Sequence, residues 1–241
     1  MRNIINRFEK NNIRTKVAVL AVIIIAAIAL TACSADSPDE TLPPVPGKIS
    51  EDNIDADVSV GGIAVESIDT ITGMYVEDGS FEVIDGIFTV TFKNNSDRTL
   101  QYAKLILTMG EEDYTFELTT IPAGASVRAM EMNKKPYVPS KGEITLNQDN
   151  IVWFDAEPSM CETQVEITPT NNGIVVKNIS GETISAPLHV YYKNYADEVY
   201  IGGITYRAGT QKDLAPGEAV ALSAKHFDPE ASKLMFVTYA P

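Results

Sequence analysis

Cys33 and Cys161 are the only thiols in this chain of 241 residues, and His189 and His226 are the only imidazoles. Thiol nucleophiles, imidazole bases and soft-metal ligands would have to come from these four positions. No Gly-x-Ser-x-Gly elbow, Cys-His pairing motif or metal-binding helix signature accompanies them. Two histidines and one spare thiol fall short of a zinc ligand set. Aspartate and glutamate are plentiful, but hydrolysis by a carboxylate pair requires a fixed separation in space that sequence spacing does not supply. The expectation is therefore no catalytic residue, no metal and no cofactor. A binding surface is the better prospect, because Tyr191, Tyr192, Tyr195, Tyr200 and Tyr206 gather half of the ten tyrosines into 16 residues. Tyrosine offers a large rigid apolar face with a polar tip, suited to stacking on sugars or anchoring a protein interface. Strand alternation places Tyr192 with Leu188 and Val190 toward a core, and Tyr191 with His189 and Lys193 on the opposite face. The candidate surface is thus Tyr191, Tyr195, Tyr200 and Tyr206, with core and edge packing as the alternative use of these rings.

Cys33 has a different prospect. It closes the run Leu30-Thr31-Ala32-Cys33, which follows an apolar stretch from Val17 and a basic segment with Arg2, Arg7, Lys10, Arg14 and Lys16 against Glu9 alone. Fourteen apolar residues from Val17 to Leu30 are too few for a mature membrane span, which needs about 20. The segment reads as an export signal. Its end resembles the lipobox of bacterial lipoproteins, which implies a diacylglyceryl group on the Cys33 thiol, cleavage after Ala32, and Cys33 as the first mature residue. Two or more acyl chains anchor stably where one does not. The resemblance implies a chain held by Cys33 on the outer face of the bacterial cytoplasmic membrane, with no cofactor beyond that lipid.

The net charge is −14, and residues after position 32 carry 14 basic against 32 acidic side chains, or −18. Such a chain repels phosphate backbones, so nucleic acid is not an expected partner. With Cys33 acylated, Cys161 has no intramolecular thiol to pair with and is expected to serve as a small buried hydrophobe.

The elements that must position these residues read as strands. Residues 33–57, rich in Ser, Pro, Asp and Glu, lack apolar periodicity and are expected to form a flexible tether. From Val58 onward short alternating runs are separated by Gly, Asn, Asp and Pro, which predicts an all-β fold. Asp85-Gly86 is expected to turn a hairpin between Phe81–Ile84 and Ile87–Phe92. Phe88, Val90 and Phe92, then Leu105, Leu107 and Met109, then Tyr114, Phe116 and Leu118 form three core stripes. Trp153, beside Val152 and Phe154, is expected to pack in the core or against a neighbouring domain.

The chain also repeats itself. Lys93-Asn94-Asn95-Ser96 returns as Lys177-Asn178-Ile179-Ser180, 84 positions later, and Ala123-Gly124-Ala125 returns as Pro216-Gly217-Glu218, 93 positions later. The second copy therefore carries about nine extra residues, Gly202-Gly203 among them. Such a duplication predicts two tandem immunoglobulin-like β-sandwiches, residues 58–156 and 160–241, after the signal peptide (1–32) and the tether (33–57). The adjacent Lys-Asn steps cannot join as isopeptides, because neighbours on a strand point to opposite faces.

Val175-Val176-Lys177-Asn178, Val190-Tyr191-Tyr192 and Pro216-Gly217-Glu218 resemble the extracellular β-sandwich modules called FxLYD domains. The pattern departs where that family has Tyr-Asp, since Lys193-Asn194 follows Tyr192, and the first copy has Leu107-Thr108-Met109 there. The whole layout resembles surface lipoproteins of Gram-positive bacteria. The resemblance implies adhesion, assembly or spacing and no enzymatic activity. The expected function is a non-catalytic interaction or scaffolding module, with an envelope protein as partner or a cell-wall glycan as ligand. The alternatives are a carbohydrate- or small-ligand-binding lipoprotein serving a transporter or enzyme, and a hydrolase with a carboxylate site.

Overall fold

The computed structural model describes residues 58–139, 143–171 and 173–240. Leu30, Thr31, Ala32 and Cys33, the signal segment and the tether lie outside the described residues, as does Asn172. The described residues form thirteen strands and no helix. In chain order the strands are β1 (Ser59–Val60), β2 (Ile63–Tyr75), β3 (Glu82–Asn94), β4 (Leu100–Met109), β5 (Glu112–Ile121), β6 (Ser126–Met130) and β7 (Ile144–Trp153). They continue with β8 (Val165–Thr170), β9 (Gly173–Asn178), β10 (Ser185–Ala196), β11 (Val199–Thr210), β12 (Ala219–Ser223) and β13 (Ser232–Ala240).

The chain is all-β, with a sandwich-like layering of three sheets. A seven-stranded sheet runs β1-β2-β3-β6-β11-β10-β13, and two three-stranded sheets run β5-β4-β7 and β12-β9-β8. The large sheet crosses from the first repeat to the second where β6 pairs with β11 in parallel, Val127 opposite Tyr200 and Arg128 opposite Ile201. Its other pairings are antiparallel.

Two large cores and a smaller cluster of Ile71, Tyr75, Val76, Ile87 and Met130 follow from strand alternation. In the first, Phe88, Val90 and Phe92 of β3 face Leu105, Leu107 and Met109 of β4 and Tyr114, Phe116 and Leu118 of β5, all nine of them fully buried. Each such side chain contributes roughly 1.5–3 kcal/mol when buried. The second core joins Leu188, Val190 and Tyr192 of β10 to Ile174 and Val176 of β9. Cys161 is half-buried against it, and Trp153 packs against the first. The cores use opposite faces of the shared sheet. Leu188, Val190 and Tyr192 point into the second core, while Tyr195 and Tyr200, paired across β10 and β11, pack against the first.

The repeat is written into hydrogen bonds. Asn94 donates its side-chain amide to the carbonyls of Arg98 and Ile121, each at 2.9 Å, and its Oδ1 accepts from the Ser96 N–H at 3.0 Å. Asn178 donates to Glu182 and Leu214, each at 2.8 Å, and accepts from the Ser180 N–H at 2.9 Å. The backbones match as well: Gly124 N–H donates to Asn94 O at 2.8 Å and Gly217 N–H to Asn178 O at 2.9 Å. Both asparagines are buried, so each plugs a strand end against the glycine turn of its own repeat.

Asp85-Gly86 does not make the expected hairpin turn. β3 runs straight through it, and Thr72 of β2 faces both residues in a β-bulge, Gly86 adopting φ +67°. The turn between β2 and β3 falls earlier, at residues 76–81. The register of β2 against β3 prevails over the local turn preference because it buries Ile68, Phe88 and Val90 in the first core and Ile71 with Ile87 on the other face.

Candidate functional site

The extra segment of the second repeat marks where the halves meet. Along β10 and β11 the pairing steps from Tyr192 opposite Tyr206 to Asn194 opposite Ile201. One residue, Lys193, therefore faces four, Gly202 to Thr205. The looped backbone presses on the first half: a Cβ at Gly203 would stand 1.9 Å from the Glu117 carbonyl, and one at Gly202 2.7 Å from Val76 Cγ2. Gly202 also sits at φ +82°, where an L side chain is strained.

Two buried charges hold this junction. The Glu77 carboxylate, from the turn after β2, accepts from Met130 N–H at 2.8 Å, Gly203 N–H at 2.8 and 2.9 Å, and Ile204 N–H at 3.2 Å. The Lys193 ammonium donates to the carbonyls of Thr119 at 3.2 Å, Gly203 at 2.9 Å and Ile204 at 2.7 Å. Three carbonyls match the three N–H groups of an ammonium. Burial pushes Glu77 above the usual carboxylate range, against the pull of its N–H donors and of Lys193. Burial pushes Lys193 down to about 7, with Glu77 opposing. Phe81, from the same turn, stacks on His226 with ring centroids 4.0 Å apart, carrying the first repeat into the second core.

Beside this junction lies an open groove of about 530 Å³. Three of its lining residues are aromatic: Tyr191 stacks on Phe236 at 4.1 Å and 7°, and Phe236 meets Phe154 edge-on at 5.7 Å. Its polar lining is hydroxyl and amide, from Gln101, Thr119, Thr120, Thr205 and Thr238. No Asp, Glu, Lys or Arg lines it among the described residues. Thr119 and Thr205 are already tied together, Oγ1 to Oγ1 at 2.9 Å. Thr120 holds φ +51°, rare for a β-branched residue, and such strain collects at ligand sites. Gln101 lies at an irregularity between β4 and β7, which shifts the strand where it borders the groove.

The four candidate tyrosines do not form one surface. Tyr191 lines the groove. Tyr195 and Tyr200 contact each other edge-on at 5.1 Å beside a second cleft of about 600 Å³, where Lys233 Nζ lies 3.1 Å from the Tyr195 ring centre. That cleft carries both signs of charge, from Lys93, Lys233, Asp197 and Glu198. Tyr200 and Tyr206 are not at the surface: Tyr200 is 8 % exposed in the first core, and Tyr206 is 7 % exposed in the second, its hydroxyl 3.4 Å from the Val76 carbonyl. The β11 loop-out separates Tyr200 from Tyr206 and delivers them to different cores. Sequence reasoning missed Phe236, Gln101 and Thr120 because they come from β13, β4 and β5, far from the tyrosine cluster in the chain. The visible signal was Phe154, an aromatic at the boundary of the repeats.

His189 meets Tyr191 edge-on at 6.2 Å, and burial, with Arg207 beside it, lowers its pKa. Among the described residues no group of three or more His, Cys, Asp or Glu side chains could hold a metal ion. Compared with protein-family models, curated proteins and solved structures, the chain matches none.

Proposed function

We propose that this chain is a non-catalytic lipoprotein, held by acylated Cys33 on the outer face of a bacterial cytoplasmic membrane, that binds another envelope component in the groove between its repeats. The observation that carries the binding reading is the row Tyr191–Phe236–Phe154 with its uncharged polar lining, built from both repeats at once. The lipobox-like Leu30-Thr31-Ala32-Cys33 and its basic flank support the anchor. The two Asn-plugged units support a pair of immunoglobulin-like, FxLYD-like sandwiches fused through β6 and β11. Bound as an interaction or scaffolding module, the protein would hold an envelope protein or a cell-wall glycan close to the membrane.

A second reading, a small-ligand or carbohydrate-binding lipoprotein serving a transporter or enzyme, draws on the groove volume, which lies within the range of small-molecule sites. A hydrolase draws no support from the groove, which has no carboxylate on its lining among the described residues.

A photo-crosslinking residue at Gln101 of the full-length protein, on intact cells, tests the binding reading. A discrete crosslinked envelope component that disappears in Tyr191→Ala is expected. Crosslinks no stronger than those from Val83, which is 74 % exposed at the start of β3 and does not line the groove, would overturn it.

A further inference from the structure

The groove lining combines aromatic rings with uncharged polar side chains. We infer that the groove takes a neutral saccharide, one pyranose ring stacked on Tyr191; this rests on the groove being the binding surface proposed above.

Three features argue for a sugar. First, Tyr191 lies in near-parallel contact with Phe236, at 4.1 Å and 7°, which covers one face of its ring and fixes its plane, so that the sugar would take the other face. A pyranose presents C–H groups on its face and hydroxyls around its edge, and a fixed aromatic plane with polar groups in the same lining complements both. Phe154, 73° to Phe236, bounds the platform at one end.

Second, the polar lining has donors and acceptors without charge. Gln101 is exposed and carries both functions in one amide, and the exposed Thr238 adds a hydroxyl. A chain of net charge −14 already disfavours anionic ligands at long range, and nothing on the groove lining reverses that field locally.

Third, an extended peptide would dock most strongly by adding a strand to a free edge, and the edges beside the groove are engaged. The outer side of β5 is taken at Thr119, whose carbonyl accepts from Lys193 Nζ at 3.2 Å and from Thr205 Oγ1 at 3.0 Å. The outer side of β13 is met at Val237, whose N–H donates to Ser159 O at 2.9 Å. Recognition must then run through side chains, where stacking is the strongest available contact.

The test is calorimetric titration of the full-length protein in detergent micelles with cellotetraose, chitotetraose and the anionic tetragalacturonate. Saturable binding of at least one neutral tetrasaccharide is expected, with tetragalacturonate bound at least about tenfold more weakly, a difference near 1.4 kcal/mol. Tyr191→Ala should weaken the neutral ligand by at least about tenfold, and Tyr191→Phe, which keeps the stacking plane, by no more than about threefold. Unchanged thermal melting of both variants would separate lost stacking from lost fold. The inference is overturned if neither neutral sugar binds, if Tyr191→Ala binds as well as the parent, or if tetragalacturonate binds equally. If the sugars fail while Gln101 still crosslinks a protein in a Tyr191-dependent way, the saccharide is wrong and the groove reading stands. If both fail, both are wrong.

Discussion

Glu77 and Lys193 grip the same residue from opposite sides: the Gly203 N–H donates to Glu77 at 2.8 Å, and the Gly203 carbonyl accepts from Lys193 at 2.9 Å. One charge comes from each repeat, and both side chains are buried, so the junction is polar where the two cores are apolar. Removing one partner leaves an uncompensated buried charge. Glu77→Gln and Lys193→Met should each cost about 3–5 kcal/mol, and the double variant distinctly less than their sum. Urea denaturation of the four proteins measures this, and additive costs would show that the charges are not coupled.

Lys193 also sets a pH dependence. Its folded pKa is pushed down to about 7, whereas an unfolded lysine keeps its proton to about pH 10.4. Between these values the unfolded chain holds a proton that the folded chain lacks, so this group makes stability rise with pH from about 7 to 10 and contributes least below 7. Glu77 has the opposite sign. Its raised pKa adds stability that is full below the unfolded value of about 4.3 and is lost as pH rises through the folded one. The unfolding free energy of Lys193→Met should therefore vary less with pH between about 8 and 10 than that of the parent. An identical slope would mean that Lys193 titrates normally.

Asn94 and Asn178 should be equivalent in cost. Asn94→Ala leaves the carbonyls of Arg98 and Ile121 without their side-chain donor, and Asn178→Ala does the same to Glu182 and Leu214. Each substitution should lower stability by about 2–4 kcal/mol. Chemical denaturation giving less than about 1 kcal/mol for either would show that water replaces the amide there.

Gly203→Ala is expected to be far more damaging than Gly181→Ala. The first puts a methyl 1.9 Å from backbone, and the second finds no atom within 4 Å. Thermal melting should show a loss of several degrees or failure to fold for Gly203→Ala and almost no change for Gly181→Ala. Equal melting temperatures would mean that the loop opposite Lys193 moves away from β5 at little cost.

Acylation at Cys33 is tested on cells grown with labelled fatty acid. Label should enter the parent protein and be absent from Cys33→Ala, with the variant released from the membrane. Label retained in Cys33→Ala would place the lipid elsewhere.

The sequence by itself determined the all-β class and the core stripes. Phe88, Val90 and Phe92 alternate with Thr89 and Thr91, and alternation puts the three apolar side chains on one face. It also showed the recurring Asn and Gly turns, because a buried asparagine at a strand end and the glycine turn it meets are local chemistry. It placed Tyr191 and Tyr192 on opposite faces for the same reason. What only the tertiary structure decided is where distant strands meet. No local signal announces that β6 pairs with β11, that Lys193 is buried against Glu77, or that Phe154 and Phe236 complete a platform with Tyr191, since those contacts join residues 45 to 116 positions apart. Asp85-Gly86 shows the same limit. A dipeptide suited to a turn became a bulge because the ladder of β2 against β3, closed by residues 76–81, runs through it and buries Ile68, Phe88 and Val90.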